Sequence, residues 1–333
     1  MKKLNCIVVG VGHLGRHHAR ILASMPNANL VAVVDTDPER GEEVARRHGT
    51  RYVPDVSALN GSIDAAVISA PTSQHLRLSR YLLERGVSVM VEKPMTATLE
   101  EADDLIRAAG KSNAQLHVGH VERFNPAVLA IKKHLTSPRY IECDRIAPFG
   151  FRCMDVGVVL DMMIHDLDLV LHLTRSEIAR IDAIGVAVIS RHEDVANARI
   201  LLKNGCVANL TASRVASKRE RKLRIFQADA YFSLDLEARD AKIYRRPADF
   251  VPPEEIDLSR VEDPRTLVAE KMLIAEQVEM DDQEPLKNEL EVFLNCVATG
   301  CTPEVGGDDG RRAIAAAVEI VRQIQQQRWG AAQ

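Results

Sequence analysis

The sequence predicts an α/β protein of two domains: first a doubly wound parallel sheet, then an α/β domain with an antiparallel or mixed sheet. Three observations carry this. From Leu4 to about Val121, short apolar runs alternate with amphipathic stretches. A glycine fingerprint, Gly10-Val11-Gly12-His13-Leu14-Gly15, stands where the first run meets the first amphipathic stretch. After Asn125-Pro126 strand-like segments follow one another with tight turns. The chain has 333 residues, more than the roughly 250–300 that one hydrophobic core usually organises.

The first-half runs are Leu4–Val9, Leu30–Val34, Ala65–Ser69, Val87–Val91 and Gln115–Val118. They are largely apolar rather than alternating, as strands buried on both faces are. Between them His13–Ser24, Pro38–His48 and Leu99–Gly110 read as helices. In the last, Thr98 and Glu101 form a capping box. Strand–helix alternation of this kind gives a doubly wound domain. Beyond Pro126, one helix precedes His134 and another covers Val159–Leu173. Strands follow near Ile181–Ile189, Ala196–Leu202, Cys206–Thr211, Lys222–Gln227 and Tyr231–Leu236, with Asn204-Gly205 as a hairpin turn. Glu237–Met280, rich in Pro and charge, reads as a surface excursion with some helix, and helices near Glu284–Ala298 and Gly310–Gln327 close the chain. The boundary near residues 121–126 divides the chain into residues 1–122 and 123–333, with the closing helices free to pack back on the first domain.

Composition narrows the class. With 43 Lys+Arg against 47 Asp+Glu, the net charge of −4 supplies no global basic field for nucleic acid. No run approaches the ~18 apolar residues of a membrane span. Met1-Lys2-Lys3 leads straight into a strand without a cleavage site, so it is not read as a signal peptide. Six scattered cysteines (Cys6, Cys143, Cys153, Cys206, Cys296, Cys301) read as reduced, mostly buried thiols of a cytoplasmic protein.

The chemistry starts at the glycines. Gly10 permits a tight turn, Gly12 lets backbone approach a pyrophosphate, and Gly15 permits close helix–strand packing. The amides of His13, Leu14 and Gly15 open a helix whose start faces the phosphates. An ordinary glycine-rich turn is the bland alternative, but Asp35 ends the second strand 20 residues after Gly15, as the fingerprint requires. A carboxylate there accepts from both ribose hydroxyls and repels a 2′-phosphate, which favours NAD over NADP although Arg40 lies nearby. Ala70, Pro71, Thr72, His75 and Glu92 are counted with these residues in the cofactor site.

Lys93, in Glu92-Lys93-Pro94, stands at the carboxyl end of a strand, where ligands of open α/β sheets bind. A lysine there touches the cofactor crevice and orients a substrate hydroxyl. A solvated surface lysine is the alternative. Asp161 and His165, at i and i+4 on an apolar helix, form an acid–imidazole pair able to bind a diol and accept a proton. A satisfied core histidine is the alternative there. Metal is discounted despite Asp166 and Asp168, since three suitably spaced ligands do not emerge. His117 and His120 are read as structural. The densest charge cluster is Arg214, Lys218, Arg219, Arg221, Lys222 and Arg224. It is either a solvated strand edge or a diphosphate cradle. The absence of interleaved aromatics argues against nucleic acid.

Taken together, Gly10–Gly15, Glu92-Lys93-Pro94, Gly119-His120 and the Asp161/His165 pair resemble the Gfo/Idh/MocA oxidoreductase family over nearly the whole chain. The resemblance implies an N-terminal Rossmann domain and a C-terminal α/β domain with a large open, mostly antiparallel sheet. That sheet often serves as the oligomer interface, giving a homodimer or homotetramer. It also implies a tightly held nicotinamide cofactor and oxidation of a secondary alcohol of a sugar or cyclitol. Lys93 then carries over as the catalytic lysine, His165 as the acid/base and Asp161 as a substrate-hydroxyl ligand. One departure is visible: Val156-Gly157 stands where relatives often carry paired glycines.

More narrowly, Gly119–Pro126, Asp155–His165 and Ser213–Gln227 resemble the UDP-N-acetylglucosamine 3-dehydrogenases that serve lipid A built with 2,3-diamino sugars. In that reading Arg123, Asn125, Arg214 and Lys218 join Asp161 and His165 as substrate ligands. The rival readings are a dehydrogenase of a free sugar or inositol, and a nicotinamide-binding regulator that turns nothing over.

Overall fold

The computed structural model describes residues 3–150, 156–247, 249–256, 272–281 and 283–327. In the first half, strands β1 (Leu4–Val9), β2 (Ala28–Val34), β3 (Arg51–Val53), β4 (Ala65–Ile68), β5 (Ser88–Glu92) and β6 (Leu116–Gly119) form one sheet in the order β3-β2-β1-β4-β5-β6. Every neighbouring pair is parallel. The connections are helical: α1 (Gly15–Ser24), α2 (Pro38–His48), α3 (His75–Leu83) and α4 (Leu99–Lys111). Strand order reverses between β1 and β4, the switch point at which doubly wound sheets bind ligands. Strands β4 and β5 are buried at every position, which explains their unbroken apolar character.

Local signals set the helix ends. Asp37 caps α2 by accepting from Arg40 N, Pro38 occupies its first turn, and Gly49 closes it in the left-handed region (φ 63°). At α4 Thr98 Oγ1 accepts from Glu101 N (3.2 Å). The Glu101 carboxylate reaches back one residue beyond the cap, to Ala97 N (3.0 Å).

Two compact units divide the chain: Met1–Phe124 with Gln283–Ala316, and Asn125–Asp282 with Ala317–Gln333. Residues 283–316 therefore group with the first unit, the packing-back allowed for the closing helices, and the second unit is not the continuous stretch 123–333. The reason is burial: Leu290, Phe293 and Leu294 of α7 (Pro285–Thr299) join the core cluster containing Val8, Leu22, Val33 and Met90. Phe293 also packs edge-on against His117. The closing helix α8 (Gly307–Gln326) contributes residues to both units.

In the second unit an eight-stranded sheet runs β14-β13-β12-β11-β7-β10-β9-β8. Its strands are β7 (Tyr140–Ile146), β8 (Ile178–Val186), β9 (Val195–Leu202), β10 (Val207–Ser213), β11 (Glu220–Phe226), β12 (Ala230–Asp235), β13 (Asp240–Arg245) and β14 (Ile274–Gln277). Only β7 and β10 run parallel; the other pairs are antiparallel. Gly205 (φ 87°) turns β9 into β10 as the Asn-Gly pair predicts. Helices α5 (Pro126–Lys132) and α6 (Ile164–Thr174) pack on one face. The central strand β7, β3, β13, β14 and helix α3 are additions to the elements read from sequence. The expected excursion 237–280 instead supplies β13 and β14, while its residues 257–271 lie outside the described part.

The cysteine expectation needs correction. Cys296 and Cys301 are disulfide-bonded, with Cα atoms 4.8 Å apart. Gly300, in the left-handed region (φ 71°), folds the chain back on the last turn of α7 and brings the two together. Cys6, Cys143 and Cys206 are free and buried; Cys153 lies outside the described residues.

Candidate active site

The first unit builds a dinucleotide-shaped turn at the end of β1. Gly10 has φ +84°, and a Cβ there would lie 2.6 Å from the Ser69 carbonyl oxygen. A Cβ on Gly15 would meet the Gly10 carbonyl oxygen at 1.8 Å. Gly12 differs, because a Cβ there would meet nothing within 4 Å. The protein's own packing does not demand glycine at that position, whereas a pyrophosphate pressed against the backbone would. Helix α1 starts at Gly15, two residues later than expected, with no side-chain cap and no acidic residue in its first turn. Its positive end is thus left to an anion.

Asp35, 6 % exposed, closes β2. It accepts from Val11 N (2.8 Å) inside the glycine turn and from Asp37 N (2.9 Å). Burial pushes its carboxyl up, but Arg40 and these two amides hold it below the usual carboxylate range. Leu14 and Pro71 are exposed, Gly12 and Thr72 half-buried, so a ligand has access to the turn and to the segment after β4. His75 is corrected. Its ring is 1 % exposed, with Nε2 2.8 Å from the Ala70 carbonyl and Nδ1 2.9 Å from that of Pro94. It sits between the turn after β4 and the loop after β5, where its single N–H donates to one of these two carbonyls.

Lys93 follows the buried strand β5 and is half-buried, next to a cis Lys93–Pro94 peptide. Its neighbour Glu92 is held by a residue that sequence reasoning missed. His18 of α1 is fully buried and places Nε2 2.7 Å from Glu92 Oε1. Burial would raise the Glu92 carboxyl, yet His18 and Lys93 bring it below its ordinary value. A Cβ on Gly119 would lie 3.0 Å from Glu92 Oε2, which gives the Gly119-His120 motif a packing reason. The available signal for His18 was its place three residues after Gly15, on the helix face of Ala19 and Leu22. His117 and His120 are buried at 4 % and 1 %, and burial lowers the His117 pKa to about 4.

In the second unit, Asp161 lies in a π-helical turn, Val159–Met163, and His165 in the first turn of α6. The pair is therefore not on one regular α-helix as expected. Wide turns of this type are frequent at functional sites. Met163, Ile164 and residues 166–170 are buried, while Asp161 and His165 are half-exposed. The acid–imidazole pair is thus accessible in a segment whose core-facing residues are buried, with Leu160 and Met162 half-exposed beside it. Asp166 is spent on Arg145, with contacts of 2.8–3.1 Å. Among the described residues no group of three His, Cys, Asp or Glu is placed to hold a metal ion.

A brace outside the sequence expectations supports this turn. Glu193 accepts from Val159 N (3.3 Å) with its carboxylate and from Val158 N (2.9 Å) with its carbonyl. A Cβ on Gly157 would fall 1.8 Å from Glu193 Oε1, so the glycine retained in Val156-Gly157 is the one that lets this carboxylate in.

The proposed diphosphate ligands take other roles. Arg214, 5 % exposed, donates to Asp194 (2.8 Å), the Val156 carbonyl (3.0 Å) and Ser190 (2.9 Å), steadying the approach to the π-turn. Lys218 is exposed and paired with Glu220. Arg219 and Arg221 meet Glu237, Lys222 meets Asp235, and Arg224 meets Glu142 and Asp144. The basic run is therefore neutralised across the ladder, and it is not a free diphosphate cradle. Arg123, 3 % exposed, pairs with Asp309 (3.2 Å) and the Glu304 carbonyl. Asn125 caps α5 and donates to the Leu236 carbonyl (3.0 Å). Both hold backbone in place, within different units.

A parallel sheet of this strand order, a glycine turn answered by a carboxylate, and a lysine at a strand end define a nicotinamide-dinucleotide-binding oxidoreductase. The chain belongs to the Gfo/Idh/MocA family. Residues 4–120 match the oxidoreductase family's NAD-binding Rossmann fold, and residues 134–232 match the GFO/IDH/MocA C-terminal domain. It is 39 % identical to UDP-N-acetylglucosamine 3-dehydrogenase of Acidithiobacillus ferrooxidans over 94 % of this chain and 95 % of that protein. The crystal structure of that enzyme superposes with a TM-score of 0.86 at 36 % identity, covering 98 % of this chain and 99 % of that one. Similarity to scyllo-inositol 2-dehydrogenase (NAD(+)) of Bacillus subtilis is 30 %, over 64 % of this chain and 68 % of that protein. Levoglucosan dehydrogenase in complex with NADH and levoglucosan shares the fold, with a TM-score of 0.83 at 18 % identity and 98 % coverage of both chains.

Proposed function

We propose that the protein oxidises the 3-hydroxyl of UDP-N-acetylglucosamine to the 3-keto sugar, with NAD preferred to NADP. The observation that carries this reading is the extent of the likeness. Identity of 39 % spans 94 % of the chain for the nucleotide-sugar enzyme, against 30 % over 64 % for the inositol enzyme. In this reading His165 accepts the hydroxyl proton, the Lys93 ammonium stabilises the developing alkoxide, and Asp161 binds a neighbouring hydroxyl. The bound nicotinamide supplies the hydride acceptor. The protein's own share is orientation, which the His18–Glu92 and His75 contacts give Lys93 and the Glu193 brace gives Asp161.

The reading places the enzyme in the cytoplasm with its nucleotide substrates, its keto product suited to amination. It acts as a homodimer or homotetramer through the sheet face opposite α5 and α6. That face supports the assembly by its pattern. Asp182, Arg199, Asn209, Glu142, Arg224, Ser233 and Lys242 stand side by side across it, mixing both signs of charge so that a second copy can complement it.

Incubation with NAD and a panel of nucleotide sugars, free sugars and inositols tests the function. NADH formation and a product two mass units lighter are expected with UDP-N-acetylglucosamine. Turnover confined to free sugars or inositols would replace the reading with the free-polyol one.

A further inference from the structure

The Cys296–Cys301 disulfide joins two residues of unlike access. Cys296, in the last turn of α7, is 3 % exposed; Cys301 is exposed, as are Ala298, Thr299, Gly300 and Thr302 around it. A small thiol or disulfide can therefore reach Cys301, while Cys296 is shielded and held where it can attack the same sulfur. Exposed disulfides of this kind are the ones that exchange.

The strip of chain that this disulfide anchors covers the rim of the parallel sheet. β6 is the edge strand there, so its outer backbone groups need partners from outside the sheet. Residues 305–306 supply them: Val118 N donates to the Val305 carbonyl (3.0 Å), and His117 and Gly306 form an antiparallel bridge. Just before β6, the Gln115 amide nitrogen donates to the carbonyls of both Cys296 (3.1 Å) and Cys301 (2.6 Å). Arg123, just after it, donates to the Glu304 carbonyl (3.3 Å). On its inner side β6 pairs with β5, Val118 beside Val91 and Gly119 beside Glu92, the residue before Lys93. All of these residues belong to the first unit. Opening the S–S bond leaves the strip to its hydrogen bonds and the buried Val305. A bridge that closes so short a loop constrains its own neighbourhood, so its loss acts on local opening of the strip.

We propose that Cys296 and Cys301 form a reversible exchange site for low-molecular-weight thiols and disulfides. Its redox state sets how firmly residues 301–306 hold β6 and, through β6, the strand end that carries Lys93. Oxidation begins when the Cys301 thiolate attacks one sulfur of a small disulfide, RSSR; that S–S bond breaks, and RS⁻ leaves and takes up a proton. The Cys296 thiolate then attacks Cys301 Sγ, closing the protein disulfide and expelling the second RS⁻, which is protonated in turn. The pair gives up two electrons and two protons, and RSSR receives them as two RSH. Two small thiols reverse both steps, beginning at Cys301. The proposal draws on the first unit and on no assignment of substrate.

To test it, the full-length protein is equilibrated in glutathione buffers of graded thiol-to-disulfide ratio, alkylated and peptide-mapped, and amide hydrogen exchange is followed in the same samples. Alkylation of Cys296 and Cys301 is expected to rise together with the thiol fraction and to reach the same value from oxidised and from reduced starting material. In the reduced protein, exchange at residues 115–119 should speed up about tenfold or more, with a smaller rise at residues 89–94 and none in β9 and β10. Cys301→Ser, which replaces the exposed partner, should exchange as the reduced wild type does and ignore the buffer. A pair that stays oxidised, or stays reduced, at every ratio overturns the proposal. So does equal exchange at residues 115–119 in the two states, which would leave the disulfide without influence on β6.

Discussion

Replacing Lys93 by methionine is expected to lower kcat about 10²–10⁴-fold, the range of a positioned acid–base or electrostatic group. The Kd for NAD should meanwhile change less than about threefold. Methionine keeps the apolar stem and removes the charge, so the effect reports chemistry rather than packing. Its surroundings are secured independently, by His18 on the Glu92 carboxylate (2.7 Å) and by the buried His75 beside the Pro94 carbonyl (2.9 Å). Single-turnover kinetics and calorimetry check the two halves of the expectation. A parallel loss of NAD affinity would make Lys93 a cofactor ligand instead.

His165→Asn should lower kcat/KM by a similar factor, about 10²–10⁴, and leave a residual rate without the rising limb that deprotonation of a general base produces as pH increases. The side chain is half-exposed, while Met163 and Ile164 beside it are buried and Asp166 is anchored to Arg145. The π-turn and α6 should therefore persist, with little change in melting temperature. A variant that keeps the wild-type pH profile but melts much earlier would show a structural histidine.

Legibility differed sharply between the two units, for physical reasons. Strands β4 and β5 are buried on both faces and read as continuous apolar runs, and Gly10 and Gly15 are dictated by a turn and a packing contact within six residues of chain. Such local causes leave local signatures. Strand β7, at the centre of the second sheet, was hidden because Glu142 and Asp144 face outward and Arg145 faces the core, paired with Asp166. The alternation of inward Ile141 and Cys143 with these outward carboxylates breaks off at Arg145, which leaves it too short to mark a strand. The return of α7 to the first unit depends on where Leu290 and Phe293 are buried, which helical periodicity does not state.

The site shows the same division. Lys93, Asp161 and His165 follow from motifs, and the structure puts each at an accessible or half-buried position of its own unit. The basic cluster misled because charges dense in sequence are neutralised across strands, Lys222 by Asp235 and Arg224 by Glu142. Arg123 and Arg214 look like ligands in one dimension and prove to be ion-paired supports of the backbone, through Asp309 and Asp194. Conversely His18 and Glu193 carried no motif, since their importance lies in partners far along the chain.

The central claim is hydride removal from carbon 3 of a nucleotide sugar, and isotope transfer tests it most directly. The protein is incubated with NAD and UDP-N-acetylglucosamine deuterated at carbon 3 only, and the reduced cofactor and the sugar are both weighed by mass spectrometry. The account predicts deuterium in the NADH, an unlabelled 3-keto sugar and slower hydride transfer than with the protiated substrate. Label retained in an oxidised sugar, with unlabelled NADH, would show that another carbon reacts and would contradict it.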